Sequence, residues 1–426
     1  MKNISKLGLI SFFVSLSTSS IAANYTISVS SSLEHTDNVR KDDRNKRNDT
    51  HSTIGVDVSY LEESARIKTS NTFRLYRTDY FRNTFSDETE LVGDSRIDFS
   101  ILPERLDWFV SYQRSRTLSQ NTDADTPDNR VTRKVFQTGP SYILRLSGQD
   151  TLNTSLLYAD NSFDDSDSVG SDSKTANLSW NHLYSDKLTG NLNTTYTDVG
   201  SDETGSDYER SSLSYGFNGI MQNGTYSIEY GRNKIKREQL SSVTGNFYQA
   251  NINYSGSRYK FGFVADRELT DTSIGLSLND LFGVDFLSND TSFEINEVVE
   301  RTRYEAYYNQ RVMDDRLSTT FRIFNDKEDF DGRLNDTDNR GASFDVTYEL
   351  PGNWSNQTST SYEVETPKDS SLRKSYYRSL RTEMKYQFSE KLNINTWLTF
   401  SRRDWEGGGA DEYQEWVVGA SVGYAF

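Results

Sequence analysis

The residues able to do acid–base chemistry are few in this chain. It contains three histidines, His35, His51 and His182, and no cysteine. His51 stands beside Ser52, and a histidine with a serine is the pairing that activates the nucleophile of many hydrolases. On a strand, however, neighbouring side chains point to opposite faces, so His51 cannot pair directly with Ser52. A pair of His51 with Thr53 is geometrically possible, because both side chains lie on the same face of the strand. This pair alone is a weak signal, and we expect no enzymatic activity.

Metal and cofactor chemistry finds equally little support. The segment from Asp165 to Gly170 resembles a calcium-binding loop, but Ala176 stands where the closing glutamate would be. The absence of cysteine removes thiolate metal sites, disulfides and lipoprotein anchoring. No Walker loop, dinucleotide fingerprint or zinc motif occurs, and a net charge of −16 argues against nucleic acid as a partner. We expect no metal site and no cofactor, but a solvated acidic loop.

The composition favours strands with one apolar and one polar face. Only 34% of the residues are hydrophobic and 26% are charged, yet 13% are aromatic. A polar average with many aromatics fits strands that meet lipid on one side and water on the other. After residue 23 there is no run of about 18 apolar residues, which a transmembrane helix requires.

Alternating segments recur along the whole chain. Ile54, Val56 and Val58 share one face of a strand, with Gly55 and Asp57 on the other. About 20 such segments can be recognised, from 24–34 to 413–426, joined alternately by tight turns and by long hydrophilic loops. The pattern predicts an all-β fold, a transmembrane antiparallel up-and-down β-barrel of about 20 strands, with 18 as the alternative.

The two ends of the sequence indicate the compartment. Residues 1–23 combine a basic start, an apolar stretch and small residues before Asn24, which is typical of a secretory signal peptide. Residues 24–426 are then the barrel. The last strand alternates up to Tyr424 and Phe426, a pattern similar to the insertion signal that the barrel-insertion machinery recognises. We therefore expect a protein of the Gram-negative outer membrane, in contact with its lipid and lipopolysaccharide.

A barrel of this size leaves an aqueous lumen, because about 16 strands already enclose a channel. The polar strand residues predicted to line the lumen are Arg66, Lys68, Arg74, Arg96, Asp98, Asn191, Asn193, Asn251, Asn253 and Arg322. Such a wall suits a hydrated polymer that slides past many weak contacts, although an ordinary porin lumen is also polar. We expect most tyrosines, including Tyr60 and Tyr254, to form girdles at the membrane interfaces rather than a sugar-stacking track.

One connection differs from the other loops. Residues 270–295 form the longest connection and carry Leu278, Leu281, Phe282 and Phe286. An apolar loop in water must bury its apolar side chains. It is predicted either to fold into the barrel mouth as a gate or to cap neighbouring loops.

Short motifs suggest a family. The segment from His35 to Val39 resembles the opening segment of the exopolysaccharide-locus outer-membrane β-barrel family, found with exosortase, capsule or biofilm genes. The segments from Thr138 to Arg145, from Arg267 to Ser273 and from Asp315 to Ser318 look similar as well. The resemblance implies secretion of exopolysaccharide, with a periplasmic polysaccharide-export protein as partner and the polysaccharide as cargo. A diffusion porin and a structural or adhesive barrel remain the alternatives.

Overall fold

The alternating segments form β-strands throughout the part of the chain that the structure describes. The structure is a computed structural model. It describes residues 24–119, 124–164, 169–202, 206–237, 241–271, 298–330, 336–369, 373–407 and 412–426. The strands within these residues are β1 (Asn24–Thr36), β2 (Asp49–Glu63), β3 (Ile67–Tyr80), β4 (Glu88–Leu102), β5 (Leu106–Leu118), β6 (Arg130–Arg145), β7 (Asp150–Phe163), β8 (Ser171–Ser185), β9 (Leu188–Ser201), β10 (Tyr208–Met221), β11 (Gly224–Arg237), β12 (Val243–Ser255), β13 (Tyr259–Asp271), β14 (Val298–Val312), β15 (Leu317–Phe330), β16 (Thr337–Leu350), β17 (Trp354–Pro367), β18 (Ser375–Gln387), β19 (Leu392–Trp405) and β20 (Tyr413–Ala425).

Each strand pairs antiparallel with the next one in the chain, and β20 returns to pair with β1. At this seam Val29 is the register partner of Tyr424, and the Phe426 amide donates to the Ile27 carbonyl at 2.9 Å. The sheet is therefore a closed barrel, and the prediction of 20 strands rather than 18 is confirmed for the described residues. Besides the strands there is a short 3-10 helix at Pro127–Asn129. Over the described ranges, no helix has the length and hydropathy needed to cross a membrane.

The connections alternate in length from one end of the barrel to the other. Short turns lie at the end that holds Asn24 and Ala425: Met221 pairs directly with Gly224, so only two residues turn the chain there. At the β14–β15 turn, Met313, Asp314 and Asp315 all have positive φ, which lets the chain reverse sharply. The long connections lie at the opposite end. In barrels of this class short turns face the periplasm, so the long loops are extracellular.

The β6–β7 ladder is interrupted at one point. Pairing stops at Thr138 and resumes at Ser141, which leaves Gly139 and Pro140 unpaired with β7. Proline has no N–H to donate to the ladder. A Cβ on Gly139 would lie 1.8 Å from the Leu156 carbonyl oxygen, so the close approach of the two strands requires glycine.

The outer face of the barrel is apolar and carries rows of tyrosines. Near the periplasmic end Tyr254, Tyr259 and Tyr308 stack with ring centroids 5.8 and 6.3 Å apart. Further along the strands the Tyr215 and Tyr230 rings lie 6.1 Å apart, edge to face. Tyrosines at separate levels of a lipid-facing wall are typical of interfacial girdles.

Candidate functional site

Strand alternation separates a lipid-facing outer wall from an inner wall. On β2 the side chains of Ile54, Val56 and Val58 are exposed on the outside, and Gly55 and Asp57 face the other way. Cross-strand partners preserve this alternation around the barrel, because partner side chains share a face. The inner wall of the lumen is the candidate functional site.

One sector of the inner wall is built mainly from neutral hydrogen-bonding side chains. We call this surface the neutral sector. It runs over six neighbouring strands and consists of Asn153 and Ser155 on β7, Thr175, Asn177, Ser179 and Asn181 on β8, Asn191, Asn193, Thr195 and Thr197 on β9, Ser212, Ser214 and Asn218 on β10, Ser227 on β11, and Gln249, Asn251 and Asn253 on β12.

Side-chain hydrogen bonds between strands and along them hold the neutral sector in shape. Thr195 donates to the amide oxygen of Asn177 at 2.5 Å, and Asn253 donates to the Asn251 amide oxygen at 2.7 Å. The carboxylate of Glu229 lies among these side chains and accepts from the Asn193 amide at 2.9 Å. Asn and Thr each retain further donors and acceptors after one such bond, which can serve a passing solute.

Other parts of the inner wall carry ion pairs. On β14 and β15 the Arg301 Nε donates to Asp326 at 3.0 Å, and Arg322 lies 3.2 Å from Glu305. Further round, Arg74 and Asp57 are 3.5 Å apart. Carboxylates and guanidinium groups alternate here, so the surface offers both charges at close spacing.

The structure places nearly all predicted lumen residues on the inner wall. These are Lys68, Arg74, Arg96, Asp98, Asn191, Asn193, Asn251, Asn253 and Arg322. Arg66 is different: it lies in the turn between β2 and β3, at the periplasmic rim and not on a strand. The alternation predicts a strand at 65–77, but β3 begins at Ile67, because Ser64 and Arg66 close the turn through hydrogen bonds to Ile67 and Ser100.

A buried cluster under the extracellular loops was not anticipated from the sequence. Val199, Ile235 and Leu269 are almost fully buried against each other at the loop ends of β9, β11 and β13. Beside them Arg210 reaches Glu268 at 3.4 Å, with side-chain exposures of only 8% and 5%. Arg210 and Glu268 lie on β10 and β13, with two strands between them, so no local pattern could have revealed the pair.

The extracellular connection between β5 and β6 is held by a bidentate ion pair. Arg130 donates to the two oxygens of Asp125 at 2.6 and 2.8 Å. Burial opposes the ionisation of Asp125, but the hydrogen bond and charge of Arg130 outweigh it and hold the pKa of Asp125 below its usual range. The pair is therefore fully charged at neutral pH.

His51 does not pair with Thr53 in the structure, although His35 Nδ1 lies 2.9 Å from the hydroxyl oxygen of Thr50. His51 Nε2 lies 3.7 Å from Glu34, while Thr53 exchanges a hydrogen bond of 2.9 Å with Thr78. His182 lies 2.8 Å from Asp150, near the periplasmic end. Among the described residues no group of three acidic or histidine side chains is arranged to hold a metal ion.

Three predicted features fall wholly or partly outside the described residues. The signal peptide at 1–23 and the gate residues Leu278, Leu281, Phe282 and Phe286 lie there, as does Asp165 of the calcium-like segment. For the insertion signal, the structure shows Tyr424 and Phe426 exposed at the seam, with ring centroids 5.0 Å apart. All three features, and the recognition of that signal, stay predictions.

Comparison with known proteins gives the fold. No family model matches the sequence, and no curated protein matches it. The chain is similar to the FrpB iron transporter of Neisseria meningitidis, with a TM-score of 0.50 and 11% identity, over 95% of this chain and 82% of that one. It is similar to the siderophore receptor PirA of Pseudomonas aeruginosa, with a TM-score of 0.50 and 10% identity, over 94% and 80% of the two chains. OccK2 (OpdF) of Pseudomonas aeruginosa matches at a TM-score of 0.43 and 9% identity, over 95% and 98%.

The chain is an outer-membrane β-barrel. Its closed sheet, its apolar outer wall and the folds of FrpB and PirA agree, and the predicted location in the Gram-negative outer membrane is confirmed. Sequence identities of 10–11% support a shared architecture but do not indicate the substrate, because one fold can serve many functions.

Proposed function

We propose that the protein is a conduit for exopolysaccharide across the outer membrane, with the polymer passing through the polar lumen. The observation that carries this proposal is the neutral sector. Amide and hydroxyl side chains offer both donors and acceptors to the hydroxyl groups of a sugar, without the tight hold of a charge. A polymer that must keep moving through the lumen needs contacts of this weak and repeated kind.

The sequence resemblance supports the same substrate class. The motif from Thr138 to Arg145 coincides with the interrupted β6–β7 ladder, where Gly139 and Pro140 leave the regular pairing. A periplasmic polysaccharide-export protein would deliver the polymer to the rim that carries the short turns. This partner belongs to the proposal.

Deletion of the gene in the native host tests the proposal. We expect surface polysaccharide to be lost and to return on complementation. The purified protein in liposomes should admit small sugars more slowly than a diffusion porin of similar size. Unchanged surface polysaccharide together with rapid sugar entry would identify a diffusion porin instead. An unchanged polymer with a sealed lumen would identify a structural or adhesive barrel.

Paired variants test the role of the neutral sector. Asn193→Leu with Asn251→Leu removes two amides from the inner wall and should lower polymer secretion severalfold. Thr194→Leu with Ala250→Leu changes the next residues on the same strands, which face lipid, and should leave secretion unchanged. Equal secretion by both pairs would contradict a role for the inner amides.

A further inference from the structure

Three aromatic side chains of the inner wall lie across a glycine on the neighbouring strand. Trp397 on β19 is the register partner of Gly419 on β20. A Cβ on Gly419 would lie 2.4 Å from Cε2 of the indole, so only glycine leaves room for the ring. On the far side of Gly419, β1 places Glu34 as the next register partner, and Glu34 hydrogen-bonds Trp397. The indole therefore crosses a whole strand and is held at its far edge.

The same construction occurs near the periplasmic end. Tyr307 on β14 is the partner of Gly262 on β13, which is the partner of Asn253 on β12. A Cβ on Gly262 would lie 2.1 Å from Cε1 of the tyrosine. The Tyr307 hydroxyl donates to the Asn253 amide oxygen at 3.1 Å. This ring, too, crosses its glycine and ends on a polar group.

A third example lies on the strands that follow. Phe324 on β15 covers Gly341 on β16, where a Cβ would lie 2.5 Å from the ring and 3.0 Å from Glu363 on β17. Tyr307 is the register partner of Arg322, so Phe324 stands diagonally from Tyr307 at about 7–8 Å between the Cα atoms. Tyr307 lies nearer the periplasmic end of the barrel, and Phe324 lies further toward the extracellular end.

These contacts determine how each ring meets the lumen. A ring that lies on the backbone of the next strand has one face against the wall and turns the other toward the water. Hydrogen-bonding groups surround it: Arg381 lies 5.5 Å from the Trp397 ring, and Arg322 with Glu305 lies between Tyr307 and Phe324. A flat apolar surface bordered by polar groups has the chemistry of one face of a pyranose.

We propose that Trp397, Tyr307 and Phe324 are saccharide-stacking stations of the lumen. The axial C–H groups of a pyranose carry a slight positive charge and match the negative face of an aromatic ring. The hydroxyl groups at the sugar edge then meet Glu34, Asn253 and Arg322. Several separate stations of moderate strength let a polymer bind and leave in steps. The inference rests on the proposed function for the class of cargo.

The outer wall supplies a matched control. Tyr226 on β11 covers its partner Gly219 on β10 in the same way, with a Cβ position 2.2 Å from the ring, but it faces lipid. If the rings only shield glycine backbone, inner and outer examples should behave alike. If the inner rings bind sugar, only they should matter for binding.

Saturation-transfer NMR on the full-length protein in detergent, with maltohexaose as the probe, tests the stations. Wild-type protein should transfer saturation to the C–H protons of the sugar. Trp397→Ala and Tyr307→Ala should each weaken the apparent Kd by about tenfold, or about 1.4 kcal/mol, while Tyr226→Ala should not change it. Phe324→Leu removes the ring but keeps a branched apolar side chain in its place, so a loss of transfer in this variant would not reflect a folding defect.

The outcomes separate the stations from the export function. No saturation transfer in wild type, or equal transfer in the inner and outer variants, overturns the stations. Transfer that depends on the inner rings, in a protein whose deletion leaves surface polysaccharide intact, supports the stations and rejects export. Loss of surface polysaccharide with transfer independent of the rings supports export and rejects the stations.

Discussion

Gly139 and Gly419 have no Cβ atom, and this allows neighbouring parts of the wall to approach each of them closely. At Gly139 the neighbour is the backbone of β7, and at Gly419 it is the indole of Trp397. Backbone cannot move aside as a flexible side chain can, so the two glycines differ in what a substitution would do. A substitution at Gly139 would disturb the pairing of β6 with β7, whereas a substitution at Gly419 would displace the Trp397 ring on the inner surface.

Gly139→Ala should destabilise the barrel, because the new Cβ would lie 1.8 Å from the Leu156 carbonyl oxygen. We expect a loss of roughly 1–3 kcal/mol in the free energy of unfolding, measured by urea titration in lipid vesicles. Gly148→Ala in the next turn is the control, since a Cβ there meets nothing within 4 Å. Equal midpoints for the two variants would contradict the close approach.

The buried Arg210–Glu268 pair gives a second prediction. Arg210→Ala leaves the Glu268 carboxylate buried without its guanidinium partner, which should cost about 3–5 kcal/mol in the free energy of unfolding. Arg340→Ala breaks the Asp338 pair, in which the arginine is 69% exposed, and should cost at most about 1 kcal/mol. The same vesicle titration compares the two. Similar losses would show that the Arg210 pair is solvated.

Among the elements, β1 and β20 have a special position, because their pairing alone turns an open sheet into a barrel. Ser32 and Ser421 are register partners across this seam and share the inner face. The natural chain has no cysteine, so introduced thiols would be the only ones present.

Ser32→Cys with Ser421→Cys should form a disulfide on mild oxidation, because register partners lie within disulfide range. Gel mobility without reductant would show the link. Ser28→Cys with Ser421→Cys is the control, since Ser28 pairs with Ala425 instead. Efficient linking of the control pair, or failure of the first pair, would contradict the register of the seam.

The end of β20 carries the predicted insertion signal. Phe426→Ala should lower the amount of barrel assembled in the outer membrane severalfold and leave more chain in the periplasm, as measured by fractionation. Phe388→Ala is matched to it, because Phe388 is exposed to a similar degree, 63% against 69%, in a periplasmic turn. Equal assembly of both variants would remove the special role of Phe426.

Period-two alternation made the strands predictable, and turn residues such as Gly352 and Asn353 marked the reversals. The inner-wall assignment of Asn191 or Asn253 followed from the same alternation. The covering of Gly419 by Trp397 did not, because it depends on a register between strands that no single segment encodes. Arg210 and Glu268 were missed for the same reason.

At the scale of the whole molecule, part of the acidic composition lies on the inner wall of the lumen. The inner wall holds carboxylates such as Asp94 and Asp345, for which the described residues provide no salt bridge. Their charge raises the local concentration of cations in a water-filled channel with low-dielectric walls.

The lumen should therefore prefer cations. Reversal potentials in planar bilayers under a potassium chloride gradient would measure this preference. Asp94→Asn with Asp345→Asn should weaken it, and the lipid-facing change Thr360→Ser should not. Anion selectivity of the wild type would contradict this distribution of charge.

The pairing of β1 with β20 also has a consequence for the order of events during folding. Every other ladder joins neighbours in the chain, whereas Thr36 meets Val417 across almost the whole polypeptide. Loop-closure entropy disfavours such a distant contact until the intervening hairpins have shortened the path. The nascent sheet must therefore carry two unsatisfied edges until the last moment, and during that interval it is open to adding strands from a second molecule. A chaperone that shields those edges would protect the protein at its most vulnerable stage.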